Sequence, residues 1–140
     1  MPSGKIDCFL DSNILLYAAA AKKDEPRKFA ISYELVLNRN FGVSGQTLAE
    51  FCSVARRKRL LDDRTLDDWL GNLGELPLVA VDQTLVRAGL MMARRFQVSY
   101  YDAALLAAAE RLGAPVFFTE DLNHNQLYGA VRAVNPFLEH

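Results

Sequence analysis

Short apolar runs alternate along this chain with longer segments whose apolar residues recur at helical spacing. That alternation restricts the fold more than any other feature. Residues 6–10 read as a strand apolar on both faces, as a parallel sheet requires. Asp11-Ser12-Asn13 opens a short apolar helix to about Ala20, and Asp24-Glu25-Pro26 starts the next one, which Asn38 to Asn40 end. Phe41-Gly42-Val43-Ser44 is a second strand, followed by amphipathic helices over 47–58 and 65–73. The spacing then predicts a strand at 77–81 and a helix at 83–96. The almost wholly apolar 100–112 reads as a buried helix ended by Gly113 and Pro115. Strands at 116–119 and 131–134 complete the pattern. Strands separated by helices imply right-handed crossovers. The fold class is therefore α/β, a central and mostly parallel sheet with helices on both faces.

A length of 140 residues suits one such domain. No linker-like or low-complexity stretch divides it. Sixteen Lys and Arg against seventeen Asp and Glu leave a net charge of −1, so nucleic-acid binding would require a local basic patch. Cys8 and Cys52 stand 44 residues apart without zinc-type spacing, which points to a reduced, cytoplasmic setting. No apolar stretch approaches the length of a membrane span. The ending Leu138-Glu139-His140 resembles the stub of an expression tag, leaving residues 1–137 as the domain.

In an open parallel sheet, function collects at the carboxyl ends of the strands. Asp11, Glu50, Asp102 and Asp121 all fall on or beside that edge. Each has an ordinary structural role available. Asp11 suits a helix N-cap and Asp121 a turn, Thr47-Leu48-Ala49-Glu50 fits a capping box, and Ser99-Tyr100-Tyr101-Asp102 fits its looser form. Four carboxylates on one edge, however, would repel one another unless a cation neutralised them. Hard oxygen donors without His or Cys pairs point to Mg²⁺ or Mn²⁺. The runs Arg56-Arg57-Lys58-Arg59 and Arg94-Arg95 close two helices, where cations also suit the helix dipole. Tyr100 and Tyr101 suit base stacking or packing, and Trp69 with Met91-Met92 reads as helix packing. His124 reads as a solvated loop residue, and neither it nor His140 suggests a catalyst.

The run Phe9-Leu10-Asp11-Ser12-Asn13-Ile14-Leu15-Leu16-Tyr17 resembles the opening of a PIN-domain nuclease. The likeness continues at 43–51, which carries Glu50, at 99–109, which carries Asp102, and at Phe118-Thr119-Glu120-Asp121-Leu122. The compact size and the last motif resemble the VapC-type toxins of bacterial toxin–antitoxin pairs. The resemblance implies an endoribonuclease that hydrolyses RNA through metal-activated water. Asp11, Glu50, Asp102 and Asp121 would be the catalytic residues and the ligands of one or two Mg²⁺ or Mn²⁺ ions. Ser12, Asn13 and Thr119 would orient them, and Arg56, Arg57, Lys58 and Arg59 are candidate RNA contacts. Glu120 is a possible alternative ligand, with Asp121 preferred on the motif. The resemblance also implies a homodimer and a VapB-like antitoxin. Leu16, Tyr17, Phe29 and Tyr33 suit either a groove for that antitoxin or the core.

Two further readings compete. One is a PIN nuclease of RNA processing outside a toxin system, and the other a PIN-like scaffold that binds RNA or protein without catalysis. Other phosphoryl-transfer or dinucleotide folds fit poorly. Asn13 stands where a dehalogenase-type phosphatase has its second Asp, and Ser12-Asn13 is no glycine-rich turn.

Overall fold

The computed structural model describes residues 5–138. Residues 1–4 of the expected domain and Glu139 and His140 of the expected tag stub lie outside the described residues. In chain order the elements are β1 (Cys8–Leu10), α1 (Ser12–Ala20), α2 (Pro26–Asn38), β2 (Phe41–Ser44), α3 (Gly45–Arg57) and α4 (Asp63–Leu73). There follow β3 (Leu78–Val79), α5 (Gln83–Phe96), α6 (Tyr100–Leu112), β4 (Val116–Phe118), β5 (Leu127–Tyr128) and β6 (Val131–Val134). The six strands form one sheet in the order β3-β2-β1-β4-β6-β5, parallel except for β5, which runs against β6. The α/β reading therefore holds.

Strand β1 sits inside the sheet, with Cys8 paired to Phe41 of β2 and Phe9 to Phe117 of β4. Its three side chains are fully buried and divide by the strand's period of two. Phe9 joins a core built with α5 and α6, whereas Cys8 and Leu10 join one built with α1 to α4. Phe117 and Phe118 of β4 divide in the same way. The sheet thus separates two cores. Helix α6 carries an unbroken buried run from Ala103 to Ala109, as its composition demands. Trp69 packs on Phe51 as expected. Of the methionine pair only Met92 packs on the core, while Met91 is 69% exposed. Tyr33 stacks on Phe29 at the surface and is not a core residue. Among the described residues no helix is long and apolar enough to cross a membrane, and Cys8 and Cys52 are free thiols.

Several boundaries differ from the sequence reading for local reasons. Strand β1 begins at Cys8, two residues later than expected, and β3 shrinks to Leu78–Val79. Helix α3 starts at Gly45 because Ser44, still extended, caps it: its hydroxyl accepts from the Thr47 N–H, and Thr47 Oγ1 accepts from the Ser44 N–H. Helix α4 starts two residues before Thr65, because Asp62 accepts from the Thr65 N–H. Strand β5 escapes the sequence reading altogether. It has two residues, and it forms only because Leu127 and Tyr128 meet Arg132 and Val131 across a tight turn.

Helices α5 and α6 approach closely at Gly89, where an added Cβ would stand 3.0 Å from the Ala104 Cα and 3.2 Å from the Tyr100 ring. Gly71, on the exposed side of α4, has nothing within 4 Å of such an atom. Gly89→Val should therefore destabilise the fold by about 1–3 kcal/mol through overpacking. Gly71→Ala should stabilise it by about 0.5–1 kcal/mol through helix propensity. Urea unfolding midpoints of the two variants check both signs.

Candidate active site: four carboxylates in one cleft

Asp11 follows β1 at the carboxyl edge of the sheet, one residue ahead of α1. It occupies the N-cap position, yet its side chain caps nothing. Instead its Oδ2 accepts a 2.7 Å hydrogen bond from the Thr119 hydroxyl, and Oδ1 receives the Ser12 hydroxyl at 3.4 Å. Thr119 Oγ1 in turn accepts from the Asp121 N–H at 3.1 Å. One buried threonine therefore ties the end of β4 to the end of β1 and fixes the backbone from which Asp121 projects. Asp11 is only 5% exposed. Burial pushes its carboxyl up to about 6, and the Asp121 and Glu50 charges add to the rise against the Thr119 and Ser12 hydrogen bonds.

Glu50 is free to face the same cleft because the α3 cap is made by Ser44 and Thr47, so the Thr47–Glu50 capping box does not form. Burial raises its pKa, and the Asp102 and Asp121 charges act in the same direction. Gln46, one turn earlier, donates to Glu50 at 3.5 Å and to the Tyr101 carbonyl at 3.1 Å, bridging α3 to α6 across the cleft. Asp102 lies in the first turn of α6. There Ser99 accepts from its N–H, as the sequence suggests, and donates to its Oδ2 at 2.9 Å. The Asp102 pKa is raised by burial first and by Asp121 second.

All four carboxylates, from four separate chain segments, line one open cleft of about 510 Å³ together with Asn13 and Arg57. None of the four makes an ion pair with a basic side chain among the described residues. The donor set is entirely oxygen, and the carboxyls of Asp11, Glu50 and Asp102 are each raised by burial and by the charge of a neighbouring acid, which is the environment a hard divalent cation relieves. Among the described residues no group of three acids stands close enough to enclose an ion, so the carboxylates line the cleft without forming a closed cage.

Glu120 is not part of this set. Its carboxylate accepts a short hydrogen bond from the Tyr17 hydroxyl and another from Lys28 Nζ at 3.0 Å, on the far side of the loop. Lys28 also lies over the rings of Tyr17 and Phe137. The basic run 56–59 is split. Arg57 faces the carboxylates, Arg56 lies in an adjoining groove, Lys58 borders a separate apolar trough, and Arg59 takes a left-handed backbone (φ 53°) beyond the helix. His124 is not simply solvated, because its Nδ1 accepts from the Asn135 N–H at 3.0 Å. Tyr101 is 66% exposed at the cleft mouth. Sequence reasoning missed Gln46, whose only signal was its place one turn before Glu50.

Residues 8–130 match the PIN-domain family, and the chain belongs to that family. No curated protein sequence matches the chain as a relative. Among solved structures, a sarcin-ricin-loop-cleaving VapC toxin of Mycobacterium tuberculosis is similar with TM-score 0.66 at 15% identity, over 81% of this chain and 91% of that one. A toxin–antitoxin complex from Klebsiella pneumoniae gives 0.67 at 15% identity, over 92% and 97% of the two chains. A FitAB complex bound to a DNA fragment gives 0.67 at 20% identity, over 95% and 98%. At these identities the likeness is one of fold.

The raised pKa of Asp11 has a consequence for stability. The native state holds its proton up to about pH 6, whereas the unfolded chain releases it near 3.8. Without a cation, the buried charge therefore costs nothing below both values and its full amount, up to about 3 kcal/mol, above pH 6. Metal-free Asp11→Asn should be more stable than the parent at pH 7–8. The gap should close as the pH falls below 4, as thermal melts across that range would show.

Proposed function

We propose that the protein is a Mg²⁺- or Mn²⁺-dependent endoribonuclease, the toxin component of a VapBC-type toxin–antitoxin pair. The observation that carries this reading is the convergence of Asp11, Glu50, Asp102 and Asp121 on one cleft, none of them ion-paired to a basic side chain among the described residues. The similar structures add to it, since they include a sarcin-ricin-loop-cleaving VapC toxin and a toxin–antitoxin complex.

In this reading the four carboxylates hold the ion or ions, directly or through water. A bound Mg²⁺ or Mn²⁺ supplies Lewis acidity to the scissile phosphate and to the attacking water. The chain's own contribution is orientation. Thr119 and Ser12 hold the Asp11 carboxylate, Ser99 holds that of Asp102, and Gln46 steadies Glu50 while joining α3 to α6. Asn13 faces the cleft from the first turn of α1. No side chain need act as a nucleophile. An antitoxin would silence the cleft by bringing a cation to it, which suits a site of uncompensated negative charge. A homodimer and a cytoplasmic setting belong to the same reading.

Labelled structured and unstructured RNAs, incubated with Mg²⁺ or Mn²⁺, test the proposal. Cleavage should be lost with EDTA and in folded Asp11→Asn. Undiminished cutting by that variant would remove Asp11 from the chemistry. Thr119→Val keeps the shape but removes the hydroxyl from Asp11, and it should weaken metal affinity about 10–100-fold by calorimetry. Among the described residues the acids form no closed cage, and that observation favours a non-catalytic scaffold as the second reading. That reading requires no metal binding by calorimetry and no cleavage of any RNA.

A further inference from the structure

On α3, Gln46, Glu50, Ser53 and Arg57 recur at helical spacing, and all four face the carboxylate cleft. The two turns from Glu50 to Arg57 correspond to a rise of about 10 Å. The face thus begins at a carboxylate and ends at a guanidinium. Among the described residues the Arg57 side chain makes no ion pair or hydrogen bond, although it lines the same cleft as four acids. From there the surface opens into a shallow groove of about 550 Å³ formed by Ala49, Cys52, Ser53, Arg56 and Arg57. Three of those residues belong to both cavities, so cleft and groove are continuous. A second neighbour of the cleft, reached past Asn13 and Val54, is mainly apolar, with Leu16, Tyr17, Ala20 and Leu60 in its wall. Lys58 and Asp24 both border that trough, so its one cation is offset by an acid, whereas the groove along α3 offers a strand of phosphates two arginines and no acid.

We infer that single-stranded RNA leaves the carboxylate cleft along the C-terminal half of α3, with Arg57 binding the phosphate next to the scissile one and Arg56 a phosphate further out. This rests on the nuclease reading above and adds to it the path of the substrate and the residue that sets it. The guanidinium is suited to the task, since its planar fork matches phosphate oxygens. It makes no ion pair with any of the four carboxylates, which leaves it available to a phosphate. Arg59 lies beyond the helix end and borders neither cavity, so the basic run contributes unequally.

The test uses the full chain carrying Asp11→Asn, so that RNA stays intact, and reads fluorescence anisotropy of a labelled single-stranded RNA at several salt concentrations. Arg57→Gln should weaken binding about tenfold and lower the salt slope by about one. Arg57→Lys should recover part of the loss. Arg56→Gln should have a smaller effect, and Arg59→Gln and Arg94→Gln almost none. Thermal melts establish that each variant is folded. Equal losses for Arg57→Gln and Arg59→Gln would overturn the path in favour of diffuse charge. RNA binding that is intact in Arg57→Gln would sink the Arg57 assignment while leaving the nuclease reading standing. A parent protein that ignores RNA but binds Mg²⁺ would remove the RNA reading and this inference with it. Polyglutamate competing as well as RNA would mark a general polyanion groove and also overturn it.

Discussion

Strand β1 must be covered on both faces, and most of the architecture follows from that requirement. Three consecutive side chains with no exposure allow no solvent-facing side, so helices have to pack above and below. Parallel neighbours on either edge then require crossovers, and α1 to α4 fill one face while α5 and α6 fill the other. Each chain segment that leaves β1, β2 or β4 does so at the same edge of the sheet. Asp11 and Asp121 reach that edge at strand ends, and Glu50 and Asp102 in the early turns of helices. The cleft is where those departures meet.

That edge carries an energetic conflict. Asp11 is nearly inaccessible to solvent, hydrogen-bonded by two hydroxyls, and still raised to about 6. A neutral residue there would serve stability better, and on the proposed reading a bound cation offsets that cost. The Thr119 hydroxyl stands at the centre of this arrangement. It donates to Asp11 and accepts from the Asp121 backbone, so that two acids far apart in the chain share one anchor. On the opposite side of the same loop, Glu120 is held by Tyr17 and Lys28. Adjacent acids thus face different surroundings because the loop turns between them.

Capping decides which acids are available. Had the Thr47–Glu50 box formed, Glu50 would have been spent on its own helix. Ser44 forms the box instead, because it ends β2 in an extended conformation with its hydroxyl over the first turn of α3. At α6 the cap and the acid cooperate, since the Ser99 hydroxyl both accepts from the Asp102 backbone and donates to its carboxylate.

Much of this was legible in the chain. The alternation of apolar runs and helical segments was enough for the α/β class, the parallel sheet and the buried α6, because burial on two faces leaves a periodicity that local sequence records. The four acids stood out by their positions after strands and at helix starts. What the sequence did not contain was anything that depends on contacts between distant segments. The hairpin at β5 has too few residues to carry a pattern, and it exists only through its pairing with β6. The pairing of Glu120 with Tyr17 and Lys28, the cap of α3, the bridge made by Gln46 and the division of Arg56 to Arg59 among different surfaces are all of this kind. Adjacent residues on a helix or loop point in different directions, and only the packed tertiary structure determines what each one meets.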